Sequence, residues 1–275
     1  MTTIALIGAG GKMGFRLSSN LKDSDFDVRH VEVSEAGRAR LQTELGITCV
    51  DVEKAVPGAD AVILAVPDNL VGKISAGLNS MLESGTMVIT LDAAAPFAGH
   101  LPDRSDLVYF VTHPCHPPIF NDETDLEAKR DYFGGVRAKQ HIVNALMQGP
   151  EGSYELGEKI GRTIYAPVVR SHRVSVEEMA LLEPGLSETV CATLLVIMRE
   201  AMDEVVRRGV SYECARDFLL GHMNILAAVI FDEQPGVFSD ACNKAIDNAK
   251  GQIMKEDWLK VFEPQEIAES IKRIT

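Results

Sequence analysis

An α/β fold, with a doubly wound parallel sheet followed by an all-α C-terminal domain, is what this sequence predicts, on three observations. Short apolar runs recur along the first part of the chain with helical stretches between them. A glycine-rich turn follows the first run at once. Beyond about residue 172 the strand signals stop and long helical periodicities take over, so the expected domains are 1–172 and 173–275.

Residues 3–7 read as a short buried strand, and from Gly14 to Leu21 the apolar spacing is helical. Residues 28–33 alternate as a second strand, and a polar helix over 35–45 stops at Gly46. The run 59–66 is apolar on both faces and ends at Pro67, as a central parallel strand covered by helices would. Residues 87–91 and 107–112 repeat that pattern, and 141–147 offers one more strand. Residues 185–209 form a single helical pattern with Leu194, Leu195, Ile197 and Met198 on its apolar face, stopping at Gly209. Further helices are expected over about 212–231, 239–253 and 264–273.

The bulk numbers restrict the partners. With 27 Lys and Arg against 40 Asp and Glu, the formal charge of -13 repels nucleic-acid phosphates and anionic membranes. An anionic substrate therefore has to be met by local charge, from a metal ion or a helix N-terminus. The five cysteines are scattered without a CxxC pair, which fits a reducing cytoplasm better than a disulfide framework. No stretch reaches the roughly 18 uninterrupted apolar residues of a membrane span. The first residues lead straight into a strand, unlike a signal peptide.

The glycine turn carries the clearest chemistry. Gly8, Gly10, Gly11, Lys12, Met13 and Gly14 lie between the first strand and the first helix. Glycines there turn the chain tightly and let the backbone approach a pyrophosphate, which the helix N-terminus attracts. Glu32, at the end of the second strand, suits the ribose hydroxyls and repels a 2′-phosphate, so NAD is expected rather than NADP. Pro67 and Asp68 end a buried strand where the nicotinamide ribose is expected; Asp68 serves equally as a helix N-cap.

Two further groups suggest a reactive centre. The segment from Thr112 to Glu123 holds His113, Cys115 and His116 among three prolines, followed by Asn121, Asp122 and Glu123. It follows a buried strand, at the edge where open α/β sheets bind ligands, and its histidines suit either metal ligation or acid–base work. Where the helical domain begins stand Glu177, Glu178, Glu183 and Glu188. Glu183, beside Pro184, is placed to face inward or to complement a helix dipole, whereas Glu177 and Glu178 read as helix surface. His222 and Lys244 fit a packing or surface role.

The Gly8–Gly14 loop, the Ala65-Val66-Pro67-Asp68 turn and the long central helix resemble the 6-phosphogluconate dehydrogenase-like superfamily over nearly the whole chain. The word His113-Pro114-Cys115-His116-Pro117-Pro118 and the segment from Leu182 to Glu188 look more narrowly like the bacterial D-apionate oxidoisomerases. That resemblance implies NAD, a divalent metal and a branched sugar acid, in a D-apionate to 3-oxo-isoapionate type of conversion. The lysine motif of β-hydroxyacid dehydrogenases is missing; Glu178 and Glu183 stand in its place.

The expected enzyme is then a metal-assisted NAD-dependent oxidoisomerase in the cytoplasm. His113 and Glu183 hold the metal, zinc in the first instance, and His116 and Glu188 are the acid–base candidates. A plain hydroxyacid dehydrogenase without metal and a non-catalytic NAD-binding protein are the alternatives. The apolar faces of the two long helices lead us to expect a homodimer.

Overall fold

The computed structural model describes residues 1–275. In chain order the elements are β1 Thr3–Ile7, α1 Lys12–Lys22, β2 Asp27–Val31, α2 Glu35–Arg40, α3 Val52–Ala55 and β3 Ala61–Leu64. There follow α4 Asp68–Leu78, β4 Met87–Thr90, α5 Ala94–Phe97, β5 Val108–Pro114, α6 Leu126–Arg130, β6 Gln140–Gln148, α7 Tyr154–Ile164 and β7 Val168–Arg173. The helices α8 Val176–Ala180, α9 Thr193–Arg207, α10 Tyr212–Ile230, α11 Asp240–Ile253 and α12 Pro264–Ile274 complete the chain. Between α8 and α9, Leu181–Ala192 continues the helix at π pitch.

The seven strands form one sheet in the order β2-β1-β3-β4-β5-β6-β7. Strand alternation divides its side chains between two cores. Ile4, Leu6, Ile63 and Ile89 pack into one with Leu17 and Ile160. Ala5, Ile7, Val62 and Val88 pack into the other with Val71 and Leu78. Burial on both faces is why these runs are continuously apolar. It also fixes the loops after β1, β3, β4 and β5 at a single carboxyl edge.

The sheet departs from the fully parallel expectation at one place. Strand β6 pairs antiparallel with β5, and β7 pairs parallel with β6. The starts of β6 and β7 therefore lie beside the end of β5. Strand β7, Val-Val-Arg-Ser-His-Arg, lies at the sheet edge with most of its side chains exposed, so it lacks the apolar run that marks the inner strands.

The chain divides into two compact units, Met1–Glu183 with Ala268–Thr275, and Pro184–Ile267. The junction falls later than the expected residue 172 because β7 adds to the sheet, and Val176 and Met179 of α8 pack against Val111 and Val143.

The helix expected to begin at Gly185 instead begins at Val176. Ser175 and Glu178 form a capping box there: Ser175 Oγ accepts the Glu178 N–H at 3.1 Å, and Glu178 Oε2 accepts the Ser175 N–H at 2.8 Å. Pro184 lies inside the π-pitch stretch rather than at a helix start.

In the second unit α9 and α10 pack together, yet Leu195, Val196, Phe218 and Ile230 remain exposed. The continuous helix Val176–Arg207 contains an 18-residue window, of mean hydropathy 1.5, that is apolar enough to cross a membrane by length and composition alone.

Candidate active site

The glycine loop is closed by backbone contact. Gly8 has φ +80°, and a Cβ on it would lie 2.4 Å from the Ala65 carbonyl oxygen. A Cβ on Gly14 would lie 2.0 Å from the Gly8 oxygen, and one on Gly10 would lie 2.7 Å from Gly37 Cα. Only hydrogen fits at these positions. Helix α1 starts at Lys12 with Gly11 as its cap and no side-chain cap bond, so its first N–H groups remain available to a phosphate. Lys12 is exposed, with Nζ 5.1 Å from the Phe133 ring centre. Met13 packs against the sheet core, so its contribution to the loop is structural.

Glu32, just beyond β2, is buried, and both its oxygens are engaged. Oε2 accepts the Gly10 N–H at 2.8 Å and Oε1 accepts the Ser34 N–H at 2.8 Å. A carboxylate has about four lone-pair sites, which leaves capacity for ribose hydroxyls. Pro67 is the cap residue of α4, and Asp68 is the first residue of that helix rather than its cap.

Asp68 instead joins a group of carboxylates. Asp92 follows β4, and its Oδ1 accepts the Ala94 N–H at 2.6 Å. His113 lies 3.6 Å from Asp92 (Nδ1 to Oδ2) and 3.4 Å from Glu183 (Nε2 to Oε2). Potential ligand atoms of Asp92, His113 and Glu183 all lie within 4.8 Å of one another. Burial pushes the Asp68 carboxyl up to about 6, helped by the charge of Asp92 and, to a smaller extent, Glu183, against the opposing effect of His113.

The tautomer of His113 follows from its neighbours. Nδ1 lies 2.7 Å from the Leu91 carbonyl oxygen, which can only accept, so Nδ1 carries the hydrogen. In the neutral ring Nε2 then holds a lone pair, and it is buried without a hydrogen-bond partner. A bare imidazole nitrogen facing a carboxylate is mildly repulsive. A cation between them resolves that, and the backbone-anchored imidazole is the usual support of a metal-binding histidine. The donor set therefore fits a divalent metal.

His116 is fixed in the same manner. It has φ +61°, its Nδ1 donates to the Phe133 oxygen at 2.8 Å, and its ring centre lies 6.1 Å from that of His113. Its Nε2 holds a lone pair when the ring is neutral. The Phe133 ring also meets Arg16, whose guanidinium lies 4.3 Å from its centre, which ties the His-Pro loop to α1.

The neighbouring polar groups of that loop brace it rather than join the cluster. Asn121 donates to the Pro118 oxygen, and Glu123 Oε1 accepts the Lys139 N–H at 2.7 Å. Glu177 and Glu178 lie in the first turn of α8, and Glu177 is exposed. Glu188 is exposed in the π-pitch stretch of the second unit. His222 is exposed on α10 and stacked 4.0 Å from Phe218, and Lys244 is exposed on α11.

Asp92 is the residue that sequence reasoning missed. Its signal was available: an acidic residue directly after a buried parallel strand stands at the ligand edge, as His113 does.

Comparison with known proteins bears on this site. Residues 3–97 match the family model described as the NAD binding domain of 6-phosphogluconate dehydrogenase, and residues 121–275 match that of the phosphogluconate dehydrogenase (decarboxylating) C-terminus. The chain is 69% identical over 275 residues to a D-apionate oxidoisomerase of Rhizobium rhizogenes, covering 100% of both chains. It is 68% identical over 272 residues to a D-apionate oxidoisomerase of Cupriavidus necator, covering 99% of both. A crystal structure of a semialdehyde dehydrogenase NAD-binding protein from Cupriavidus necator, in complex with calcium and NAD, superposes with a TM-score of 0.99. It has 67% identity and covers 100% of both chains.

Proposed function

This chain belongs to the 6-phosphogluconate dehydrogenase-like family and is an NAD-dependent oxidoreductase, and from that premise we propose that it is a metal-assisted oxidoisomerase of D-apionate or a closely related branched sugar acid. One observation carries the metal: His113 Nε2 is buried without a hydrogen-bond partner, beside Asp92 and Glu183. Those three residues would hold the ion, which acts as a Lewis acid on substrate oxygens, while NAD accepts the hydride from the oxidised carbinol. Calcium in the similar crystal structure supports a divalent site; the oxygen-rich donor set suits a hard ion, and His113 equally accommodates zinc.

The chain's own groups account for the proton. His116 Nε2 takes the hydroxyl proton as the C–H hydrogen leaves as hydride, which makes the new carbonyl. Removal of a proton from the adjacent hydroxyl lets a carbon substituent shift to that carbonyl carbon, and this isomerisation needs no further oxidant. Asp68, close to neutral pH in its affinity for a proton, is placed to exchange with the cluster. Glu32 and the glycine loop hold the dinucleotide. Glu188 is retained as a second acid–base candidate.

We place the enzyme in the cytoplasm, where NAD is abundant, as a homodimer. Exposed apolar side chains along α9 and α10 support a second copy as the cover. The test is turnover of D-apionate with NAD, following NADH by absorbance and the product skeleton by carbon NMR. A rearranged skeleton and loss of turnover on chelation support the proposal. An unrearranged oxo acid formed by metal-free protein selects the plain dehydrogenase, and no NADH at all selects a binding protein.

A further inference from the structure

We propose that Arg170 and His141 form an anion seat that receives the carboxylate of the substrate, an inference that rests on the sugar-acid reading above. The antiparallel β6 makes the seat possible. His113 pairs across the sheet with Val143, and Val143 pairs with His172. One step closer to the ligand edge, the Cys115 N–H donates to the His141 oxygen at 2.8 Å, and His141 pairs with Arg170. Directly paired residues share a face, so His113, His141, Arg170 and His172 emerge on the same side. The ring centres of His141 and His172, 6.2 Å apart, agree. Strands are about 4.8 Å apart, which sets the row of His113 about 10 Å from that of Arg170 and His172, within reach of a short acid and a long side chain.

The hydrogen-bonding around His141 is what points to an anion. The backbone N–H of Arg170 donates to His141 Nδ1 at 3.2 Å. That nitrogen must then be bare, and in the neutral ring Nε2 carries the hydrogen. Yet Nε2 faces Arg170 Nη2, itself a donor, at 3.2 Å. In that tautomer two donors converge on one exposed point, where a single oxygen can accept from both. Arg173 is held by Glu151, whereas the Arg170 guanidinium faces this ring. An oxygen accepting from both Nε2–H and Nη2–H satisfies the two groups at once, and a planar carboxylate matches the guanidinium fork.

One electrostatic fact agrees with this. Burial, then the charges of Arg170 and His172, hold His141 below the usual histidine range, so the ring stays neutral with a single lone pair. On a chain of charge -13, this seat admits an acid and discriminates against a neutral polyol.

The holoenzyme is titrated with D-glycerate and with glycerol, which differ in a carboxylate against a hydroxymethyl group, while histidine ring nitrogens are followed by NMR. Glycerate should shift His141 and glycerol should not. Arg170→Gln should weaken glycerate about 10- to 100-fold, the scale of a lost charge-assisted pair. Arg170→Lys, which keeps the charge on the same edge strand, should weaken it less. Equal glycerate affinity in wild type and Arg170→Gln overturns the seat, as does an unchanged KM for D-apionate. If D-apionate is not turned over but glycerate still requires Arg170, the oxidoisomerase reading fails and the seat stands.

Discussion

Glu32 Oε2 accepts the backbone N–H of Gly10 at 2.8 Å, so the residue expected to choose the cofactor also holds the loop that binds it. Glu32→Ala should therefore act twice. It removes two charge-assisted bonds, each of roughly 1.5–3 kcal/mol, and it removes the carboxylate that repels a 2′-phosphate. The apparent constant for NAD should rise at least about tenfold, the preference over NADP should narrow, and the melting temperature should fall. Cofactor titrations with both dinucleotides check this; an unchanged preference removes Glu32 from ribose recognition.

Gly14→Ala and Gly11→Ala make a matched pair. The first would place a methyl 2.0 Å from a backbone oxygen that cannot step aside; the second meets nothing closer than 3.4 Å. Gly14→Ala should cost roughly 1–3 kcal/mol of stability and most NADH binding. Gly11→Ala should leave stability nearly unaltered. Urea melts and NADH fluorescence distinguish them.

Metal affinity should depend on three side chains rather than two. Asp92→Asn, His113→Ala and Glu183→Gln should each weaken calcium or zinc binding, measured by calorimetry, by at least about tenfold. NADH affinity should stay close to wild type in all three. Full metal affinity in Asp92→Asn would exclude it from the ligand set.

Two buried groups should oppose each other in acid. Burial lowers His30 from 6.5 to about 4, against a smaller raising effect of the Val28 backbone, so the stability it contributes is lost as pH falls through that window. Asp68, raised to about 6, has the reverse sign: its stabilising contribution is present below about 3.8 and is lost as pH rises through 6. Between pH 6 and 4 the two partly cancel in metal-free protein. Asp68→Asn should steepen the acid loss in urea midpoints, and His30→Gln should flatten or reverse it.

Light scattering at micromolar concentration should report a dimer. Phe218 is 67% exposed on an apolar helix, and Phe218→Asp should shift the equilibrium toward monomer. A wild-type monomer would refute the shared face.

What the sequence disclosed follows what local patterns encode. The continuous apolar runs of β1, β3 and β4 marked strands covered on both faces, and the glycine spacing marked the tight turn between β1 and α1. Strand direction was invisible, because the antiparallel turn of β6 depends on pairing that no local run of residues specifies. Strand β7, with His172 and Arg173 exposed at the sheet edge, was not among the expected strands because it lacks an apolar run. His113 and Glu183 were legible as individual residues. Asp92 was legible only as an acid at the ligand edge after Leu91, and its partnership with His113 emerged with the fold.

The reversal of β6 has a consequence for how such a protein can diverge. The glycine loop and Glu32, proposed to hold the dinucleotide, gather around β1 and β2, whereas the groups proposed to meet the acid come from β5, β6 and β7, across the sheet. Mutations that retune cofactor choice and mutations that retune the acid therefore fall in separate stretches of gene. Each trait can drift, or be selected in the laboratory, while the other is left intact.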